Sequence, residues 1–195
     1  MQENHLLATS QPLVLASASP RRKELLSQLG YVFSIVHADI EEKQQDDEQA
    51  YDYVLRLSQQ KAAEGLRHSA PDSLVLGSDT VVVCDGEVLE KPKDYSDSLR
   101  MLSMLSGRDH QVMTAVSIVS AKQQKSVVVT TDVWFKPLSE PEIHNYWLSG
   151  EPCDKAGSYG IQGLGGRFVT RIEGSYYAVV GLPLFETDQL LHEFL

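Results

Sequence analysis

The chain has 195 residues, 42% hydrophobic and 23% charged, the make-up of a globular protein with one large domain or two small lobes sharing a core. No apolar run approaches the ~20 residues that span a bilayer, so no membrane-spanning helix is expected. A net charge of −10 repels polyanions and argues against a nucleic-acid groove, leaving room for a small anionic ligand where basic residues gather.

Met1 to Gln11 is polar, with no basic region followed by an apolar core, and reads as a loose lead-in rather than a secretory signal. Leu13–Ala16 is a short apolar run expected to form a buried strand. Ser19 and Pro20 then supply an N-cap and a first helical residue, and the helix runs to Leu29 before Gly30 stops it. Phe33–Val36 is a second strand. The acidic stretch Asp39–Glu48 leads into a helix from about Gln49 to Leu66, whose apolar residues Tyr53, Val54, Leu57, Ala62 and Leu66 keep helical spacing. Leu74–Gly77 is a buried strand, followed by Ser78-Asp79-Thr80. Val81–Cys84 and Glu87–Leu89 flank Asp85-Gly86, a strong hairpin signal.

Ser96–Leu105 is the next helix. Val112–Val119 and Ser126–Phe135, rich in Val, Ile and Thr, are expected to pair as antiparallel strands. Ser139-Glu140-Pro141-Glu142 opens another helix. Five glycines follow between Gly157 and Gly166. Phe168–Ile172 and Tyr176–Val180 read as strands around Glu173-Gly174, and a last amphipathic helix begins after Pro183. With no internal repeat and no linker-like composition shift, the pattern predicts a single domain: a mixed, elongated α/β sheet flanked by helices, its two lobes meeting at a central cleft.

Two cysteines, Cys84 and Cys153, are too few for a disulfide framework or a thiolate metal site. Cys84 reads as a packed free thiol, which favours a reducing cytoplasm. The histidines show no ligand spacing.

Four segments carry candidate chemistry. Ser17-Ala18-Ser19-Pro20-Arg21-Arg22 aims a helix N-terminus, two hydroxyls and two arginines at one point, suiting a phosphate chain; an ordinary capped helix with solvated arginines gives the same pattern. In Gly77-Ser78-Asp79-Thr80, a carboxylate at a strand end suits a general base or a metal ligand, or simply closes a turn. Glu90-Lys91-Pro92 places a lysine just beyond the hairpin. Asp154 to Gly163 combines glycines that admit close backbone approach with Gln162, whose amide can read a base edge, though a flexible loop also fits.

Taken in order, these segments, together with Gly174-Ser175-Tyr176 and Val180-Gly181-Leu182-Pro183, resemble the Maf family of nucleoside triphosphate pyrophosphatases from Leu13 to the C-terminal helix. The resemblance implies a mixed α/β fold shared with inosine triphosphate pyrophosphatases. Arg21-Arg22 after Ser-Pro, Thr80 after the Asp and Gln162 in the glycine-rich loop are similar to the branch preferring dTTP and UTP, and differ from the 7-methyl-GTP branch at each position. It further implies that Asp79 is the general base for a water attacking the α-phosphorus. Lys91 joins it in the catalytic set, and Ser17, Ser19, Arg21, Arg22, Lys61 and Lys155 hold the phosphates. Thr80 and Gln162 would read the pyrimidine. Glu42, with Asp79, would hold a divalent cation, Mg²⁺ or Mn²⁺; a solvated acid in an acidic run is the plain alternative for Glu42. A homodimer is the assembly the resemblance implies. Two other roles stay open: clearance of modified pyrimidine triphosphates, and a nucleotide-binding regulator of cell division in which catalysis is not essential.

Overall fold

The computed structural model describes Thr9 and residues 11–194; most of the expected N-terminal lead-in lies outside the described residues. Leu13–Ala16 (β1) is buried along its whole length, on both faces, and is paired on both edges. It runs parallel to Phe33–Val36 (β2) on one side and to Leu74–Cys84 (β3) on the other. Parallel neighbours need crossover connections, and two helices supply them. Pro20–Gln28 (α1) starts on Ser19, whose Oγ accepts the Arg22 N–H. Ala50–Arg67 (α2) buries Tyr53, Val54, Leu57 and Ala62, as their spacing predicts.

Asp85 and Gly86 take φ of +51° and +80°, both in the left-handed region that a tight hairpin turn requires, and return the chain as Glu87–Leu89 (β4), antiparallel to β3. Tyr95–Leu105 (α3) is capped by the Asp94 carboxylate on Asp97 N–H. Asp109–Val119 (β5) and Gln124–Phe135 (β6) are sheet neighbours joined by four residues, a connection short enough to permit only antiparallel pairing. Glu140–Leu148 (α4) opens with a capping box between Ser139 and Glu142. Val169–Glu173 (β7) pairs antiparallel with β6, and Tyr176–Val180 (α5) and Leu184–His192 (α6) complete the chain. The strand order is β2-β1-β3-β5-β6-β7, with β4 beside β3. This is the mixed α/β sheet with helices expected from the sequence.

Two expectations give way. Ser78-Asp79-Thr80 does not interrupt the strands around it: β3 is one strand of 11 residues, and Asp79 stands in its middle rather than at a strand end. Tyr176–Val180 is a helix, not a strand. Its β-branched and aromatic residues favour a strand, but Ser175 Oγ caps the turn by accepting the Ala178 N–H, and the Ser175 carbonyl accepts from Val179. The glycine-rich stretch is not a plain loop either, for it contains three short 3₁₀ turns at Glu151–Asp154, Ala156–Ser158 and Leu164–Phe168.

The chain forms two compact units from interleaved segments. The first comprises the chain up to Asp79, Thr114–Val129 and Gly181 onward; the second is Thr80–Met113 with Thr130–Val180. The first packs Val14, Ala16, Ala62, Val75 and Val119 together. The core of the second includes Leu89, Leu102, Leu105, Phe135, Tyr146 and Phe168. His110 sits in that second core, 2% exposed. Its Nε2 lies 2.8 Å from the Tyr159 hydroxyl, its ring meets Phe135 and Tyr159 edge-on, and its Nδ1 has no hydrogen-bond partner among the described residues.

Burial pushes His110 down from 6.5 to about 4, Asp109 opposing and Arg108 assisting. The unfolded chain therefore binds a proton at this site that the folded chain refuses. The stability His110 allows is complete above pH 6.5 and is lost as pH falls toward 4, at up to about 1.4 kcal/mol per pH unit. Urea unfolding at pH 7, 6 and 5 should show this slope. His110→Leu should flatten it, and equal slopes in both proteins would contradict the assignment.

Candidate active site

The first unit gathers most of the charged candidates. The contact that arranges them is between a helix and a strand. A side chain on Gly77 would place its Cβ 2.3 Å from the Ser58 carbonyl oxygen and 2.5 Å from the Ala62 nitrogen, so only glycine lets the α2 backbone lie directly on β3. Gly65, one helical turn further along, makes the same close approach over Ala16 and Val75. The helix is thereby pressed to the sheet at Ala62, and Lys61 beside it reaches Asp79, two residues along the strand from Gly77 and on the same face.

Lys61 Nζ donates to Asp79 Oδ1 at 2.6 Å and lies 2.8 Å from Glu42 Oε1. Lys61 and Asp79 are buried, at 7% and 6% exposure, while the Glu42 carboxylate reaches in from the surface. Two carboxylates thus converge on one cation position. Lys61 takes that position through Glu42 Oε1 and Asp79 Oδ1, and the second oxygen of each carboxylate is a hard donor. That pair of donors fits Mg²⁺ or Mn²⁺, which bind through one or two carboxylates and take their remaining ligands from phosphates and water. It does not make a complete protein cage, and no cluster of three or more His, Cys, Asp or Glu suited to a metal occurs among the described residues.

Arg22 belongs to the same neighbourhood. Its Nε donates to the Gly181 carbonyl at 2.9 Å. Burial draws its pKa down from the ordinary value; Asp79 and Glu42 oppose that and Arg21 adds to it. Ser78 Oγ donates to the same Gly181 carbonyl at 3.2 Å. Ser17 Oγ accepts the Ser19 N–H at 3.1 Å, so both hydroxyls of the first motif are tied to the entry of α1. Within β3, Thr80 shares the face of Ser78, opposite Asp79.

The second unit holds Lys91, Lys155 and Gln162. The Gly157 N–H donates to the Glu90 carbonyl, and Gly157, at φ +66°, lies so close to Val82 that a Cβ would fall 2.8 Å from it. The Glu90-Lys91-Pro92 and glycine-rich motifs therefore meet. Ser158 follows at φ +64°, held there by the Ser98 hydroxyl at 2.6 Å; such strain gathers at functional segments. Lys155 turns into its own loop, donating to the Glu151 carbonyl at 2.8 Å and pairing with Asp154 at 2.7 Å. Lys91 and Gln162 are exposed.

Two organising groups escape a reading of the sequence. Glu151 accepts from Leu164 N–H at 2.8 Å, Gly165 N–H at 3.0 Å and the Tyr146 hydroxyl at 2.7 Å, and that hydroxyl accepts the Gly160 N–H. Burial works to raise this carboxylate, but those donors and Lys155 hold it below its ordinary value. The glycine-rich loop is thus wrapped around an internal anion. The second is the Gly181 carbonyl, which joins Arg22 to Ser78. Its only trace in the sequence is Val180-Gly181-Leu182-Pro183.

The fold is that of a mixed α/β protein in which two carboxylates share a buried lysine near an arginine at a helix N-terminus. The sequence profile of the Maf-like proteins matches residues 12–194, and the chain belongs to that family. It is 77% identical to a Vibrio parahaemolyticus protein named dTTP/UTP pyrophosphatase, over 95% of this chain and 98% of the relative. A Vibrio cholerae protein of the same name is 64% identical over 95% of this chain and all of the relative. Among solved structures, a nucleoside-triphosphatase/dITP/XTP pyrophosphatase from Mycobacterium abscessus aligns with 64% of this chain and 74% of its own at 17% identity and a TM-score of 0.41. The family assignment rests on the sequence.

Gly77→Ala tests the helix–strand contact. The added methyl must displace the α2 backbone, a change expected to destabilise by about 3 kcal/mol and to move Lys61 off Asp79. Differential scanning calorimetry should register a clear fall in Tm; an unchanged Tm would mean that the contact is loose.

Proposed function

We propose that the chain is a nucleoside triphosphate pyrophosphatase that hydrolyses dTTP and UTP to the monophosphate and pyrophosphate. The observation that carries this reading is the convergence of Asp79 and Glu42 on Lys61 beside Arg22. The near-full-length relatives named dTTP/UTP pyrophosphatase support the substrate class.

In this reading, Asp79 takes a proton from a water molecule whose oxygen attacks the α-phosphorus. The bond from the α-phosphorus to the bridging oxygen breaks, and pyrophosphate leaves with the charge that builds on that oxygen. Lys61, fixed between two carboxylates, holds Asp79 in one orientation. Arg21 and Arg22, with Lys91 and Lys155, are the cations that offset the developing charge, and Ser17 and Ser19 present the α1 entry to the phosphate chain. Lys155 must exchange its Asp154 partner for phosphate to do this. Glu42 and Asp79 are the residues that would hold a Mg²⁺ or Mn²⁺ ion, which would supply further neutralisation of phosphate charge. Thr80 and Gln162 read the pyrimidine edge, since a polar group left unpaired by the wrong base discriminates strongly. Whether the family branch also clears modified pyrimidine triphosphates is a matter of what Gln162 and Thr80 tolerate. The regulatory alternative has no observation in its favour, because a pure nucleotide binder has no need of a carboxylate at Asp79.

Pyrophosphate release from a panel of dTTP, UTP, CTP, GTP and 7-methyl-GTP tests the reading. Asp79→Asn should keep nucleotide binding and lose about 10²–10⁴-fold in kcat, the usual contribution of a general base; near-normal turnover would remove Asp79 from that role. Gln162→Ala should bring the kcat/KM values for UTP and GTP closer together. If their ratio does not change, base reading lies elsewhere.

A further inference from the structure

Glu42 poses a physical problem. It lies in a run from His37 to Gln49 that contains neither helix nor strand, and its side chain is 44% exposed. A glutamate on such a segment has many rotamers and backbone states open to it, and fixing them is entropically costly. Yet its carboxylate is placed on Lys61.

A restraint on the segment comes from the outer face of α2. Arg56 Nε donates to Glu48 Oε1 at 2.6 Å and Nη2 to Glu48 Oε2 at 2.7 Å, a bidentate fork. Nη2 also donates to the Lys43 carbonyl at 2.9 Å, and Nη1 to Gln60 Oε1 at 3.2 Å. The guanidinium lies over the Tyr53 ring, 5.4 Å from its centre. Glu48 extends the grip, because its other contacts are with the same segment: its carboxylate accepts the Gln45 N–H, and its carbonyl accepts from the Gln44 side chain. Beside these contacts an open groove runs along Ile40, Gln44, Gln60 and Glu64. Arg56 bridges that groove and fastens the segment at two points, Lys43 and Glu48. Lys43 follows Glu42 directly.

We infer that Arg56 is a positioning residue for Glu42, clamping the Lys43–Glu48 segment to α2 so that the Glu42 carboxylate is delivered to Lys61 and Asp79. The inference rests on the reading above in which Glu42 serves the reaction. The pair is more than surface decoration, as the Arg56 and Glu48 side chains are only 21% and 10% exposed, and lysine cannot replace the fork, since it lacks the planar donors that reach two acceptors at once.

The experiment is a double-mutant cycle on Glu42→Ala and Arg56→Ala with two readouts: kcat for UTP, and Mn²⁺ affinity measured by electron paramagnetic resonance in the presence of α,β-methylene-UTP, which cannot be cleaved. Glu42→Ala should weaken Mn²⁺ binding and lower kcat. Arg56→Ala should do both in the same direction, by about ten-fold, the usual effect of losing an outer-shell partner. The double variant should be no worse than Glu42→Ala, and Arg56→Lys should recover only part of the loss. Glu48→Gln, which keeps the shape but weakens the fork, should repeat the Mn²⁺ shift if Arg56→Ala does not fold. Wild-type values for Glu42→Ala would overturn the role of Glu42 itself. An impaired Glu42→Ala beside a wild-type Arg56→Ala, or losses that multiply in the double variant, would overturn the clamp and leave Glu42 in place.

Discussion

Everything at the candidate site depends on how closely one helix can approach one strand. Side chains normally keep a helix and a sheet about 10 Å apart. At Gly77 the spacer is missing, and the backbone of α2 rests on β3 within reach of the Ser58 carbonyl and the Ala62 nitrogen. The lysine beside that contact is drawn down to the sheet, where a carboxylate stands on the same face. Desolvation offsets most of the attraction in a buried ion pair, so the pair adds little net stability. Its value lies in geometry, since each charge fixes the direction of the other.

The charge of the whole molecule sharpens this arrangement. A chain of net charge −10 repels a nucleoside triphosphate at long range, so binding must rely on a local concentration of donors. In the proposed reading Arg21 and Arg22 supply it in the first unit, against two carboxylates whose influence reaches Arg22.

The parts of the fold legible in the sequence are those whose cause is local. Ser19-Pro20 starts a helix, Asp85-Gly86 turns a hairpin and Ser139 with Glu142 forms a capping box, because each needs only a few neighbouring residues. The continuity of β3 through Ser78-Asp79-Thr80 was not legible, since polar residues in a buried strand look like a turn until the helix lying on Gly77 and the Gly181 carbonyl bound by Ser78 are known. Tyr176–Val180 misled for the opposite reason: its side chains favour a strand, and a single hydroxyl cap decides for helix. In the site, the charged residues announced themselves by type, but the pairing of Glu42 with Asp79 through Lys61 was not legible, because it depends on the fold that brings a loop, a helix and a strand together. Glu151 and the Gly181 carbonyl gave no sign either, because one is an acid turned inward among glycines and the other is a backbone atom that any residue possesses.

The interleaving of the two units carries a consequence for biosynthesis. The first unit draws on the start of the chain, its middle and the segment from Gly181 onward, and Gly181 is the residue that receives both Arg22 and Ser78. On the ribosome, the early strands and helices emerge long before that carbonyl exists. The second unit, bounded by Thr80 and Val180, has all its segments available first, so the order of maturation is inverted relative to the order of synthesis. A nascent chain stalled before Gly181 would thus carry Arg22, Lys61 and Asp79 and still lack the carbonyl that Arg22 and Ser78 bind.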